Sequence, residues 1–550
     1  MGDEVNLQKS VTNSLNYFWQ LVSSEKKNLS VLLTYQIGVG LLSLAIPIGV
    51  QLVVNTIAFS QIAQPIIILA TGLLIAQSLS AFLRAAQIII VEKMQLRLFS
   101  NVSMEVAYRI PKMKRFRTVS LPEVVNRFFD LANIQKALSF LVLEGSALFL
   151  QMLISLILLA FYHPILLAFD ILLIICILFI IFILGRGAIS TSIEESYKKY
   201  KIAAWLEELS AKTVVFSSKN ARLFALEHAN NLVFNYLDAR SKHFNIVFRQ
   251  VLGLLILQVL ANTSLIVLGV NLIAKNQLTI GQLVAAEIVV SSVLYSFSKA
   301  QKHLDNFYDL IASLGKVGDL LEQPLEEDGS QIIEVNQPID IKFKEVFYTY
   351  PSITRTLGPL TFSISPGSRV LLLGANGSGK STIVDLIYGL RTCDSGMILL
   401  NGSDVRYLSK ESLRQEIALV RGVELVSGTI LKNVKLRNPK ATIQQVDIAL
   451  KKTGLFDEIH SLPAGLETFI TDKGDPLSIS QAKRLMLARA ILGGPKMILI
   501  DETLDSLDES SREIIVKNLF MSDELWTILT TSSSADIKNA CNLVIDLKKI

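Results

Sequence analysis

Apolar residues are spread unevenly along this chain. Between residues 29 and 295 they collect into six stretches, approximately Leu29–Phe59, Pro65–Val91, Ala137–Tyr162, Pro164–Leu184, Val247–Ala274 and Gln282–Tyr295. Each is near the roughly 20 residues a helix needs to cross a bilayer. After the sixth, Lys299 and Lys302 interrupt the apolar run while helical periodicity continues to about Leu314. The intervening segments 92–135 and 185–245 are polar but also read mostly as helix, so the spanning helices are expected to extend beyond the membrane. Ahead of the first stretch, Val11–Val22 places apolar residues at near-helical spacing, with Tyr17, Phe18 and Trp19 suited to the headgroup region. It reads as a short interfacial helix or as a disordered lead-in. From Ile341 the pattern changes to strand-like alternation and short buried runs that alternate with helices.

Composition agrees with a membrane part joined to a soluble part. The chain is 51% hydrophobic and only 18% charged, with a mean hydropathy of +0.46, whereas average globular domains are about 25% charged. Lys and Arg gather in segments 92–135 and 185–245, and the short connections near Ser60, His163 and Lys275 carry almost none. By the positive-inside rule both termini are cytoplasmic. The formal charge of +5 is therefore read as membrane orientation, and nucleic-acid binding is not expected. Cys176, Cys393 and Cys541 are too widely spaced for a disulfide framework or a metal site. Arg84, Glu144, Asp170 and Glu287 lie in or near the spans; Asp170 and Glu287 either line a substrate path or snorkel to an interface.

The run Val370–Thr382, VLLLGANGSGKST, carries the chemistry. A buried strand leads into Gly374, Ala375, Asn376, Gly377, Ser378, Gly379, Lys380, Ser381 and Thr382, which fit G-x-x-x-x-G-K-[ST]. Glycines let successive backbone N–H groups turn toward phosphates, and the following helix offers its positive end. Lys380 supplies charge to the outer phosphates, and Ser381 is a Mg²⁺ ligand. Further on, MILID (Met497–Asp501) ends a buried strand in a carboxylate followed by Glu502. Such an Asp holds Mg²⁺ and such a Glu polarises the attacking water. An aromatic at Tyr350, ahead of the loop, can stack on a purine base. The soluble part is thus an α/β P-loop nucleotide-binding domain with candidate ligands for phosphates and Mg²⁺.

Taken together these features resemble a half-transporter of the ABC exporter family over almost the whole chain. LSISQ, with Ser478, Ser480 and Gln481, stands where the family has LSGGQ; Ser506, Leu507 and Asp508 stand in its S-A-L-D turn; LTIGQLVA (Leu278–Ala285) resembles the start of its sixth span. Exporters that secrete proteins or peptides are nearest, in the manner of type I secretion. The resemblance implies six transmembrane helices followed by the nucleotide domain. The expected layout is a cytoplasmic segment at 1–28, the membrane domain at 29–321, a linker at 322–338 and the nucleotide domain at 339–550. It also implies a homo- or heterodimer of half-transporters in the cytoplasmic membrane, with each ATP held between the loop of one subunit and Ser478, Ser480 and Gln481 of the other. Short transverse cytosolic helices are expected near Val119–Val124 and Lys219–Leu223. No peptidase-like extension precedes the spans, so leader-peptide cleavage is not expected, and the exported substrate is not legible.

Three positions depart from the family. Arg421 falls where the family has a metal-sensing glutamine, and a guanidinium cannot ligate a metal. Ser532 replaces a histidine that contacts the γ-phosphate. Ile479 and Ser480 replace both signature glycines, and the β-branched Ile479 hinders close backbone approach. Two readings compete: a working ATP-driven exporter with Glu502 as general base, or an ATP-binding, catalytically impaired partner of another half-transporter. A P-loop kinase fused to a membrane anchor ranks below both, since six spans exceed what anchoring requires.

Overall fold

The computed structural model describes residues 13–20, 23–59, 64–114, 125–298, 300–333, 337–350, 356–522, 524 and 526–548. They fall into two compact units, Met1–Pro324 and Leu325–Ile550.

In the first unit the apolar stretches are helical. Helices occupy Lys26–Ser43, Ala45–Phe59, Gln64–Arg109, Asp130–Phe140, Ser146–Tyr162, Pro164–Phe179, Lys219–Ala274 and Ile280–Ser298, with π-helical turns at Leu141–Gly145 and Ile180–Leu184. Among the described residues four segments are long and apolar enough to cross a bilayer: Lys26–Thr56, Ile67–Lys112, Pro164–Leu184 and Lys219–Ala274; Ile280–Ser292 is a shorter apolar helix. The first is interrupted at Leu44, where Pro47 has no N–H to return to the Ser43 carbonyl. The third and fourth stretches turn on His163, whose backbone is extended and whose Nδ1 accepts the Ile165 N–H at 3.2 Å, with Pro164 as first helical residue. The helix Lys219–Ala274 ends on left-handed Asn276, and the next begins with Thr279 and Gln282 capping each other reciprocally. At 46 and 56 residues, Gln64–Arg109 and Lys219–Ala274 are about 70 and 84 Å long. Either is more than twice a ~30 Å hydrocarbon core.

Two expectations are corrected here. Residues 13–20 are helical, but Tyr17 and Phe18 pack on protein rather than facing headgroups. Gly315 and Gly318 leave a groove on the helix Ala300–Leu321; a Cβ at Gly318 would lie 2.1 Å from the Tyr17 ring, and Phe18 meets Phe307 edge-on at 6.4 Å. Of the three aromatics Trp19 alone is exposed. Lys219–Leu223 is not a short transverse helix. It is the first turn of Lys219–Ala274, capped by Ser218 Oγ accepting from the Ala221 N–H, and Val119–Val124 lies outside the described residues. As for the ionisable residues, Asp170 is buried with neither carboxylate oxygen hydrogen-bonded, and Glu287 accepts from Ser291 Oγ at 3.0 Å.

The second unit carries the α/β fold. A parallel sheet runs in the spatial order Leu543–Asp546, Arg369–Leu373, Thr527–Thr531, Met497–Asp501, Ile417–Arg421. Alternate residues divide between its two faces. Leu371, Ile498, Ile500 and Ile528 pack with the helix Ile479–Leu492, while Val370, Leu372, Met497, Leu499 and Leu529 pack with the helix Lys380–Ile387. Burial on both faces is why these strands read as continuous apolar runs. An antiparallel sheet of Thr356–Ile364, Ile341–Thr349, Ser395–Leu400 and Ser403–Asp404 lies beside it, with Phe343 and Phe362 paired across strands at 4.3 Å.

Between the helices Asp130–Phe140 and Ala300–Leu321, the buried Asp130 carboxylate pairs with the mostly buried Lys316 ammonium at 3.4 Å. Ser313 Oγ also donates to Asp130, Lys316 also donates to Ser196, and the ammonium sits 3.7 Å over the Tyr200 ring. Burial pushes Lys316 down to about 8, against the opposing pull of Asp130. Because the folded lysine gives up its proton more readily than the unfolded one, its protonated form weakens the fold, and stability returns as pH rises from about 8 toward the free value of 10.5. Removing the carboxylate leaves a buried charge unpaired, so Asp130→Ala should cost about 3 kcal/mol. A lower unfolding midpoint of the purified chain in detergent, with a steeper gain between pH 7 and about 9, is the expected result.

Candidate nucleotide site

The site forms at the carboxyl edge of the parallel sheet, where α/β proteins with open parallel sheets place their ligands. Strand Arg369–Leu373 delivers the chain into the glycine loop, in which Gly377 and Gly379 take positive φ values of 75° and 101°. Both are conformations that glycine adopts without steric cost. Gly379 also lies against Leu357, which a Cβ would approach to 2.7 Å. Ala375, Asn376 and Gly377 are exposed at the loop crest. The helix Lys380–Ile387 starts at the end of the loop. Lys380 Nζ folds back over it, donating to the carbonyls of Gly374 at 2.9 Å and Ala375 at 3.2 Å. Ser381 is exposed, and Thr382 is buried with its Oγ1 2.6 Å from the Tyr350 hydroxyl. Tyr350 therefore lies beside the loop, its ring against Tyr348 at 5.2 Å.

Strand register explains the centre of the site. Arg421, Asp501 and Thr531 end three adjacent parallel strands and are direct partners across them. Asp501 is buried; its Oδ1 accepts from the Thr531 hydroxyl at 2.8 Å and its Oδ2 from Arg421 Nε at 2.7 Å. The same guanidinium donates through Nη1 to Asp385 Oδ1 at 2.8 Å and through Nη2 to the Ser381 carbonyl at 3.3 Å. Asp385 Oδ2 is taken by Arg391 Nε at 2.8 Å, and Arg391 also donates to the Tyr348 hydroxyl. Burial lowers the Arg421 pKa, but the bonds and charge of Asp385 and of Asp501 outweigh it and raise it above its ordinary value. The arrangement does not fit Mg²⁺ on Ser381 and Asp501, because both Asp501 oxygens already accept hydrogen bonds and one of them from a fixed positive charge.

Glu502 follows with φ of +52° and an exposed side chain, its N–H donating to Thr531 Oγ1 at 2.8 Å. A non-glycine residue held in that region is strained backbone of the kind found at functional sites. Ser532 Oγ donates to Asp505, which also accepts from the Ser533 N–H at 3.0 Å. Ser532 thus hydrogen-bonds a carboxylate. At the signature segment Ser478 caps the helix Ile479–Leu492 in a reciprocal box with Gln481. The Gln481 amide is used at both ends, accepting from the Ser478 N–H and donating to Glu458 at 2.8 Å. Ser480 Oγ donates to Asp508 at 3.0 Å, and Ile479 stands 69% exposed at the first helical position. Hydrogen bonds from Ser510 and Ser511 hold Asp508 below the usual carboxylate range.

Sequence reasoning assigned no role to Asp385, Arg391, Thr531 and Asp505. Asp385 had a signal, since it lies four residues after Ser381 on the same helix and so on the same face. Thr531 and Arg391 had none without the strand register and the turn that follows the helix.

The profile described as "ABC transporter" matches residues 357–505. Among curated proteins the chain is 28% identical over 297 residues to the alpha-hemolysin translocation ATP-binding protein HlyB of Escherichia coli, covering 52% of this chain and 42% of that protein. It is 27% identical over 311 residues to the leukotoxin translocation ATP-binding protein LktB of Mannheimia haemolytica, covering 56% and 44%. The chain thus spans less than half the length of the curated relatives it matches. A solved structure of a bacterial Atm1-family ABC exporter with ATP bound superposes with a TM-score of 0.85 at 19% identity, over 96% of this chain and 94% of that one. The second unit thus matches the ABC transporter family model over residues 357–505, and the chain has the fold of a bacterial ABC exporter.

Proposed function

We propose that this chain is an ATP-binding half of an exporter in the cytoplasmic membrane, with N- and C-termini cytoplasmic, and that its own nucleotide site hydrolyses ATP slowly. The phosphate loop, Gly374 to Thr382, holds the triphosphate with Lys380 on the outer phosphates, and Tyr350 stacks on the base. Glu502 is the residue placed to orient water. Ser478 and Ser480 serve the nucleotide of a second half-transporter, and Gln481 supports them by capping their helix. ATP binding closes the two nucleotide domains and rotates the membrane halves to release the substrate. The toxin-exporting names of the relatives favour a protein or peptide substrate.

The observation that carries slow hydrolysis is the pairing of Arg421 with Asp501 at 2.7 Å. Phosphoryl transfer depends on positioned groups and charge stabilisation, and here the expected metal-binding carboxylate is held by a protein cation. The Ser532–Asp505 contact removes a second donor from the γ-phosphate side. Single transition-state donors are worth about 3 kcal/mol each. The fully active exporter remains the second reading, favoured by Glu502 and its strained backbone.

Two outcomes test this function. Lys380→Ala should weaken ATP binding by about 1.5–3 kcal/mol, one to two decades in Kd; an unchanged Kd would remove the loop from the site. Arg421→Gln combined with Ser532→His should raise turnover by about one to two orders of magnitude, measured as phosphate release from the chain in lipid. A double variant as slow as the parent would mean that other positions limit the rate.

A further inference from the structure

The Arg421 guanidinium sits where a divalent ion on Ser381 and Asp501 was expected. It touches the Ser381 carbonyl, Asp501 and Asp385 together. Three of its five N–H groups are committed to those contacts, leaving two. The local charge is balanced without a metal: Asp385 and Asp501 face Arg421 and Arg391. An added dication would have to displace a guanidinium that bridges two buried carboxylates or sit beside its positive charge, and removing one partner of such a network is costly. Arg is always charged at physiological pH and matches phosphate oxygens with paired donors. It can therefore supply the positive charge that a metal ion brings to the outer phosphates of a nucleotide.

We propose that Arg421 replaces the divalent cation at this site, so that the chain binds free nucleoside triphosphate rather than its metal complex, with Lys380 and Arg421 neutralising the outer phosphates. This rests on the ATP-binding reading above. It also assigns Arg421 a binding role, where loss of a metal-sensing glutamine alone would leave the site merely weaker.

The test is the Kd for ATP of the full chain in lipid nanodiscs, by calorimetry, in excess EDTA and in excess Mg²⁺. Apparent affinity in EDTA is expected to exceed that in excess Mg²⁺ by about tenfold or more, because Mg²⁺ withdraws free ATP into its complex, and equal affinity in the two would overturn the inference. Arg421→Gln should lose about tenfold or more in EDTA and regain it with Mg²⁺, and Arg421→Lys, which keeps the charge, should stay bound in EDTA. As an independent readout, Mn²⁺ added with ATP should show no protein-bound spin-resonance signal in the parent and gain one in Arg421→Gln. Binding by the parent chain that depends on Mg²⁺ overturns the inference while leaving ATP binding intact. No binding in either condition overturns both, and the parent comparison requires no variant to fold.

Discussion

The site depends on the shared guanidinium of Arg421, held between Asp501 and Asp385 at 2.7 and 2.8 Å. A planar donor with no acceptor capacity cannot be exchanged for a metal ligand, and in a half-buried setting its charge is fixed. Everything around it is arranged by the same contact. Asp501 turns one oxygen to Arg421 and the other to Thr531, and Thr531 in turn receives the Glu502 N–H. On the other side Asp385 links Arg421 to Arg391 and so to Tyr348, whose ring stands beside Tyr350. A single connected network therefore reaches from the side expected to bind the base to the side expected to position water.

That network is a product of the parallel sheet. Arg421, Asp501 and Thr531 meet because their strands are adjacent and in register, and the strands are adjacent because both faces are buried beneath helices. The helix Lys380–Ile387 brings Ser381 and Asp385 to the same edge, one turn apart. The same principle of packing before chemistry holds in the helical unit. Gly315 and Gly318 open a groove that receives Ser14 and Tyr17, and the Asp130–Lys316 pair joins helices far apart in sequence.

Much of this was legible in the sequence. The hydropathy pattern gave the helical stretches and the change to α/β structure, because apolar periodicity is set by the same burial that forms the fold. The glycine loop was legible because only glycine suits its backbone at Gly377 and Gly379. Arg421 was legible as a departure, but its partners were not: contact with Asp385 and Asp501 depends on strand order, which spacing does not encode. Tyr17 and Phe18 looked like headgroup aromatics because an amphipathic helix presents the same pattern to a lipid surface and to a protein groove. What decides between them is two glycines about 300 residues further on.

The measurement that bears most directly on the account is the steady-state ATP turnover of the purified chain in lipid, beside Glu502→Gln. A site organised around Arg421 predicts turnover that is slow in the parent and slower still without the Glu502 carboxylate, with ATP bound in both. Rapid turnover abolished by Glu502→Gln would contradict it and make the chain an exporter subunit with a fully working site.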